Sequence, residues 1–177
     1  MFTDVASIYS RHESALDKIV SFASSDMFDR MFKEGMDLVE ETAAYLDGDG
    51  RIEAKKLERI SALAYASESM RLTTRLMQSA SWLLVQRAVR EGEMTAADAR
   101  DPKYRLGART VCSVSGEKLH ALPARLENLL ERSKRLYERV DLIESSLFDA
   151  SVMVSENPVN AQLIRLQAAL SAASLER

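Results

Sequence analysis

The stretch RIEAKKLERISALAYASESMRLTTRLMQSASWLLVQRAVRE, Arg51 to Glu91, runs for forty-one residues with neither glycine nor proline, between Gly48 and Gly50 on one side and Gly92 on the other. A continuous helix of that length would span about 60 Å at 1.5 Å per residue. Helices of that size serve as the spine of a bundle. One seam along it reads Ile60, Leu63, Ser67, Met70, Thr74, Met77, Ser81, Leu84, Ala88, stepping alternately by three and four. Every seventh residue from Leu63 is large, and every seventh from Ile60 becomes small or hydroxylated, so knobs alternate with places of close approach. Met70 and Met77 read here as core. A second set, Tyr65, Leu72, Leu76 and Leu83, widens the expected buried arc, which requires at least two partner elements.

The flanking sequence supplies those partners. Ser25 or Asp26 caps a helix whose apolar positions are Phe28, Met31/Phe32, Leu38/Val39, Thr42 and Tyr45/Leu46. Gly35 lies in that seam, where it costs about 1 kcal/mol of helix propensity and marks the close approach of another helix. Asp47-Gly48-Asp49-Gly50 ends it, with glycine free to turn left-handed. It is a poor calcium loop: aligning Gly50 with the invariant glycine of that motif puts Tyr45 first and Lys56 last, where carboxylates belong.

After Gly92, Thr95 and Asp98 form a capping box for a short helix that Asp101-Pro102 stops. Residues 103–121 read as the longest irregular stretch and are locally basic through Arg100, Lys103, Arg105, Arg109 and Lys118. A third long helix opens near Pro123. Its seam is Leu122, Leu126, Leu129, Ser133, Leu136, Val140, Ile143, Leu147, Ala150, Val154, a heptad-like pattern predicting near-antiparallel packing against the spine. The whole reads as an all-α, antiparallel three-helix bundle at residues 24–154. A weakly amphipathic, flexible arm precedes it at 1–23, and a short amphipathic helix or mobile tail follows at 155–177.

Composition bounds the function. Apolar residues at 46% supply a core, three prolines and six glycines favour helix, and the net charge of −3 is uneven. Residues 1–50 hold eleven acids against four bases, which points to helices paired electrostatically or to distinct docking faces. A concentrated basic face of the nucleic-acid-binding kind is lacking. Cys112 stands alone, so no intramolecular disulfide forms, as suits a reducing cytoplasm. No apolar run is long enough to span a membrane, and the first residues lack a secretory core. His12 and His120 have no metal-ligand neighbour at i+3 or i+4, and no base is placed for Cys112. The chain therefore carries no catalytic, cofactor or metal constellation.

What remains are surfaces. Glu68, Arg71, Arg75, Gln78 and Trp82 form another stripe on the spine. Arginine and tryptophan are residues of binding hot spots. The stripe reads either as internal, with the arginines paired to acids and Trp82 packed inside, or as a partner-docking face. The candidate partner-binding residues are Arg71, Arg75, Gln78 and Trp82, with Arg105 and Arg109 in the basic stretch and Leu163, Leu166 and Leu170 in the tail.

The wording of the chain adds a resemblance. Phe32-Lys-Glu-Gly-Met-Asp-Leu-Val-Glu-Glu-Thr-Ala-Ala-Tyr-Leu-Asp47 and Leu63-Ala-Tyr-Ala-Ser-Glu-Ser-Met-Arg-Leu-Thr-Thr-Arg-Leu-Met-Gln-Ser-Ala-Ser-Trp-Leu-Leu84 resemble the regulator of CtrA degradation (RcdA) family of alphaproteobacteria. So do Val89-Arg-Glu-Gly-Glu-Met94, Leu122-Pro-Ala-Arg-Leu126 and Arg135-Leu-Tyr-Glu-Arg139. The resemblance covers roughly residues 26–150. It implies a dimeric three-helix bundle without enzyme activity that acts as an adaptor for the ClpXP protease. The implied partners are a ClpX-type unfoldase, a response-regulator-type priming protein and cargo such as cell-cycle transcription regulators. It also implies a cytoplasmic protein that gathers at a cell pole in stalked-cell relatives. The alternative of another class is a helical structural or transcription-associated protein that binds DNA or a regulator through the basic stretch at 100–118.

Overall fold

In a computed structural model the chain is helical throughout its regular elements, and residues 16–107, 109–113 and 121–148 are described. Helix α1 occupies 16–23, α2 Asp26–Asp47, α3 Asp49–Ala54, α4 Arg59–Glu91, α5 Arg109–Ser113 and α6 Ala124–Phe148, with two single 3-10 turns, Asp98–Arg100 and Pro102–Tyr104, between α4 and α5.

Helix α2 starts where its sequence says it should. The Ser25 side chain accepts from Phe28 N at 3.2 Å, and Phe28, Met31, Gly35, Leu38, Thr42 and Tyr45 make its buried face. At Gly35 a Cβ would stand 2.8 Å from Leu83 Cδ1, so glycine there is a condition of helix contact. Gly48 ends the helix with φ −104°, not in the left-handed form expected of it. The left-handed turn occurs instead at Gly92, φ +76°, where the chain leaves α4 and Glu93 N closes on Ala88 O at 2.9 Å.

The expected spine is interrupted. Residues 55–58 turn between α3 and α4, leaving a main helix of 33 residues, about 50 Å long. No glycine or proline signals that break. Tertiary bonds hold it: Tyr45 OH donates to Glu53 Oε2 at 2.7 Å, and Gly50 packs so tightly that a Cβ would lie 2.5 Å from the Tyr65 hydroxyl oxygen. The arm expected at 1–23 is likewise part of the bundle where it is described. Ile19, Phe22 and Ala23 of α1 are buried, and the Phe22 ring centroid sits 5.8 Å from that of Trp82.

Three long helices form the bundle, and ion pairs report their directions. Asp29 pairs with Arg90, Gly35 meets Leu83 and Gly50 meets Tyr65, so α2 and the α3 that continues it run antiparallel to α4. Glu34–Arg139 at 2.6 Å, Glu41–Arg132 at 2.6 Å and Asp49–Arg125 at 3.1 Å form a ladder, one rung about every heptad, so α2 is antiparallel to α6 too. It follows that α4 and α6 run parallel, with Arg75 bonded to Ser133 and with Leu83 and Leu136 meeting at Gly35. The near-antiparallel packing predicted for the third helix against the spine is therefore corrected. Its seam residues Leu126, Leu129, Ser133, Leu136, Val140 and Leu147 are buried as read, while Ala150 and Val154 lie outside the described residues.

Parallel neighbours need a long connection, because the chain leaves α4 at one end of the bundle and must enter α6 at the other. Residues 92–123 are that crossover. Thr95 Oγ1 accepts from Asp98 N at 3.1 Å to shape its first turn, as the capping box predicted. The segment then travels back along α4, meeting Gln78 at Gly107 and Arg75 at Cys112.

Candidate interaction surface

The crossover, read from sequence as irregular, carries two 3-10 turns and the short α5, but its remaining backbone groups need partners that the long helices must supply. Glu144, fully buried on α6, accepts from Leu106 N at 2.6 Å and pairs with Arg105 at 3.1 Å and Arg109 at 2.8 Å. Gln78 Oε1 accepts from Gly107 N at 2.9 Å, and Tyr137 OH donates to Gly107 O at 3.1 Å. The Arg75 guanidinium donates to Cys112 O from Nε at 3.2 Å and from Nη2 at 2.9 Å, and Nη1 reaches Leu130 O and Ser133 Oγ at 3.2 and 3.1 Å. Every acceptor it is bonded to is neutral, and burial pulls its pKa down. Burial likewise pushes the Cys112 thiol and the Tyr137 phenol up, the opposite of what a nucleophilic thiol needs.

The candidate residues thus separate. Arg75 and Trp82 are 3% and 1% exposed and lie inside the bundle; a partner has no access to them. Gln78 is half-buried on the crossover. Arg71 pairs with Glu68 at 2.9 Å at the bundle's edge. Arg105 stacks on Phe148, 4.5 Å from its centroid, and Arg109 also pairs with Asp141 at 2.9 Å, so acids offset the charges of these two arginines. Of the two readings of this stripe, the internal one describes Arg75 and Trp82, although Arg75 binds carbonyls where acids were expected. Leu163, Leu166 and Leu170 lie outside the described residues.

The largest correction concerns the seam assigned to the core. Leu63 is 74% exposed, Met70 72%, Met77 58% and Leu84 50%, with Ile60 exposed beside them. The buried face of α4 is Tyr65, Leu72, Arg75, Leu76, Ser79, Trp82, Leu83, Gln86 and Val89, which includes the second apolar set. Sequence periodicity found both stripes and assigned the more regular one to the inside. On the inner side of α4, Arg75 and the half-buried Gln78 bond the crossover, while the outer stripe is apolar and faces solvent.

Among the described residues no group of three His, Cys, Asp or Glu side chains is arranged to hold a metal, and no helix is long and apolar enough to cross a membrane. The fold and these faces define a class: a helical-bundle scaffold whose prominent feature is an unpartnered apolar stripe on its longest helix.

Comparison with known proteins makes the class particular. A family model described as a protein of unknown function (DUF1465) matches residues 19–170, and the chain belongs to that family. The crystal structure of RcdA from Caulobacter crescentus CB15 is 55% identical in sequence, with a TM-score of 0.63, and the match covers 75% of this chain and 99% of that one. The chain is thus an RcdA-family protein, as its wording suggested, with the all-helical fold of that relative. No curated protein matches it.

Proposed function

We propose that this protein is a non-enzymatic adaptor that brings cargo, such as cell-cycle transcription regulators, to a primed ClpXP protease, and that it works in the cytoplasm as a homodimer. The observation that carries this reading is the 55% identity to RcdA over nearly all of that solved chain. The molecule's own features support it. Buried Arg75 and Glu144 hold the crossover and are spent on structure, while the apolar outer stripe faces solvent, as expected of a scaffold that works by contact. The partners are a ClpX-type unfoldase, a response-regulator-type priming protein and protein cargo.

The test is turnover in the native cell. Deleting the gene should lengthen the half-life of at least one cell-cycle regulator degraded by ClpXP, and the purified protein should restore that degradation in a reconstituted reaction. Unchanged half-lives for every ClpXP client would overturn the reading.

A further inference from the structure

Counter-charges are distributed unevenly over the bundle. Helix α6 pairs all of its cations: Arg125 with Asp49, Arg132 with Glu41, Lys134 with Glu138, Arg135 with Glu131 and Arg139 with Glu34. The turn between α3 and α4 is the opposite. Lys55, Lys56 and Arg59 are exposed there, and none of them pairs with an acid among the described residues. The first turn of α4 holds no acid, and the Glu58 side chain before it makes no capping bond. Arg51, the nearest cation on α3, is by contrast paired with Asp47. Like charges gathered without counter-charges repel, so the fold draws no stability from these three.

The turn itself is held in place. Lys56 N donates to Glu53 O at 3.0 Å and Leu57 N to Ala54 O at 3.3 Å, and Leu57 packs against the core. Ile52 and Ile60 stand exposed on either side of it in the chain. Three free cations and two exposed isoleucines are thus presented by a preformed turn at one end of the bundle.

We infer that this turn docks an acidic segment of a protein partner, one that carries carboxylates among apolar side chains. The inference rests on the adaptor reading for the existence of protein partners and names the contact that one of them makes. Charge complementarity sets the sign of the segment: its carboxylates supply the counter-charges that Lys55, Lys56 and Arg59 lack. The isoleucines set its second property, because a phosphate backbone offers them nothing to pack against. A nucleic acid or an anionic membrane would also bring a dense array of negative charge against the exposed acids Asp47, Asp49 and Glu58 near the same end of the bundle. A short segment places its carboxylates on the three cations and avoids those acids. Exposed ion pairs are singly weak and are screened by salt, so binding should lie in the micromolar range and weaken as salt rises.

Fluorescence anisotropy with the full-length chain tests the contact. The probe is a fluorescein-labelled peptide of four Glu-Leu-Asp repeats, with a Lys-Leu-Lys peptide of equal length as control. The acidic probe should bind at low salt and the basic one should not. Lys55→Glu/Lys56→Glu/Arg59→Glu should weaken binding by about ten-fold or more, and Ile52→Ser/Ile60→Ser by roughly three-fold with the salt dependence unchanged. Because all five side chains are exposed, circular dichroism should show both variants folded, and Lys55→Gln/Lys56→Gln/Arg59→Gln supplies the same reading if the reversed turn does not fold. Equal affinity of the wild type and the charge variants would overturn the inference, as would absence of binding at low salt. So would binding of a DNA duplex or of phosphatidylglycerol vesicles through the same three cations more tightly than the peptide, which would assign the turn to a nucleic acid or a membrane surface. Adaptor activity is read separately, from half-lives in the deletion strain, so its failure is distinguishable from failure of this contact.

Discussion

The two faces of α4 invert the usual expectation. The inner face holds a buried arginine, a buried glutamine, a serine and a tryptophan among its apolar residues. The outer face is the cleaner hydrophobic stripe. An isolated helix would put the outer stripe inside, since apolar burial contributes about 25 cal/mol per Å². The bundle does otherwise because α4 touches α2, α6 and a crossover, and the crossover brings backbone groups that an apolar surface would strand. Arg75 meets that need by donating to the Cys112 carbonyl, while the Ser79 hydroxyl and the Gln86 amide are buried without hydrogen-bond partners among the described residues.

That comparison can be broken experimentally. The largest effect should come from Trp82→Ala, which empties a buried site against Phe22: unfolding in urea should show a loss of about 3–5 kcal/mol. Arg75→Met keeps most of the stem's volume but leaves the Cys112 and Leu130 carbonyls without their donor, and should cost about 2–3 kcal/mol by the same measurement. A fall in stability within about 0.5 kcal/mol would show the crossover held by apolar contact alone.

Alkaline titration probes the same face from the crossover's side. Burial raises the pKa of Tyr137, and burial together with the bond to Glu53 raises that of Tyr45. Each native phenol therefore keeps its proton where the unfolded chain, near pH 10, loses its own. The stabilisation is complete below about pH 10 and declines as pH rises above it. Unfolding free energies from pH 8 to 11 should fall at the alkaline end, and Tyr137→Phe should flatten the curve. The smallest effect on the fold belongs to the outer face. Met70→Glu/Met77→Glu should leave the stability within about 0.5 kcal/mol of wild type and the helical circular dichroism unchanged, because both side chains are exposed.

Much of the fold was readable in the chain. The Ser25 cap, the buried face of α2, the close approach at Gly35, the Thr95–Asp98 box and the α6 seam through Leu147 all follow from local spacing and propensity, which act within one helix and survive into the tertiary structure. The acid excess of residues 1–50 anticipated the ladder that ties Glu34, Glu41 and Asp49 to α6. Less of the candidate surface was legible. Arg75 and Trp82 have the chemistry of a hot spot, and they act as one, but for the protein's own crossover and α1. Gln86, also fully buried, had no signal beyond its place in the inner stripe. The turn at 55–58 had none at all, because it is held by Tyr45, Glu53 and Tyr65 across the bundle and not by a residue that breaks helices.

By itself the sequence determined that the chain is helical, where its long helices lie, which of their positions repeat, and the family to which it belongs. These properties reside in periodicity, capping and residue identity, each readable within a few turns of one chain. Only the tertiary structure decided that α6 runs parallel to α4, and with it which of two apolar stripes faces inward. Periodicity gives the angle between stripes around a helix axis but contains no reference to what surrounds that axis. The long crossover set the surroundings: it covered the polar stripe, and the more regular heptad was left facing out.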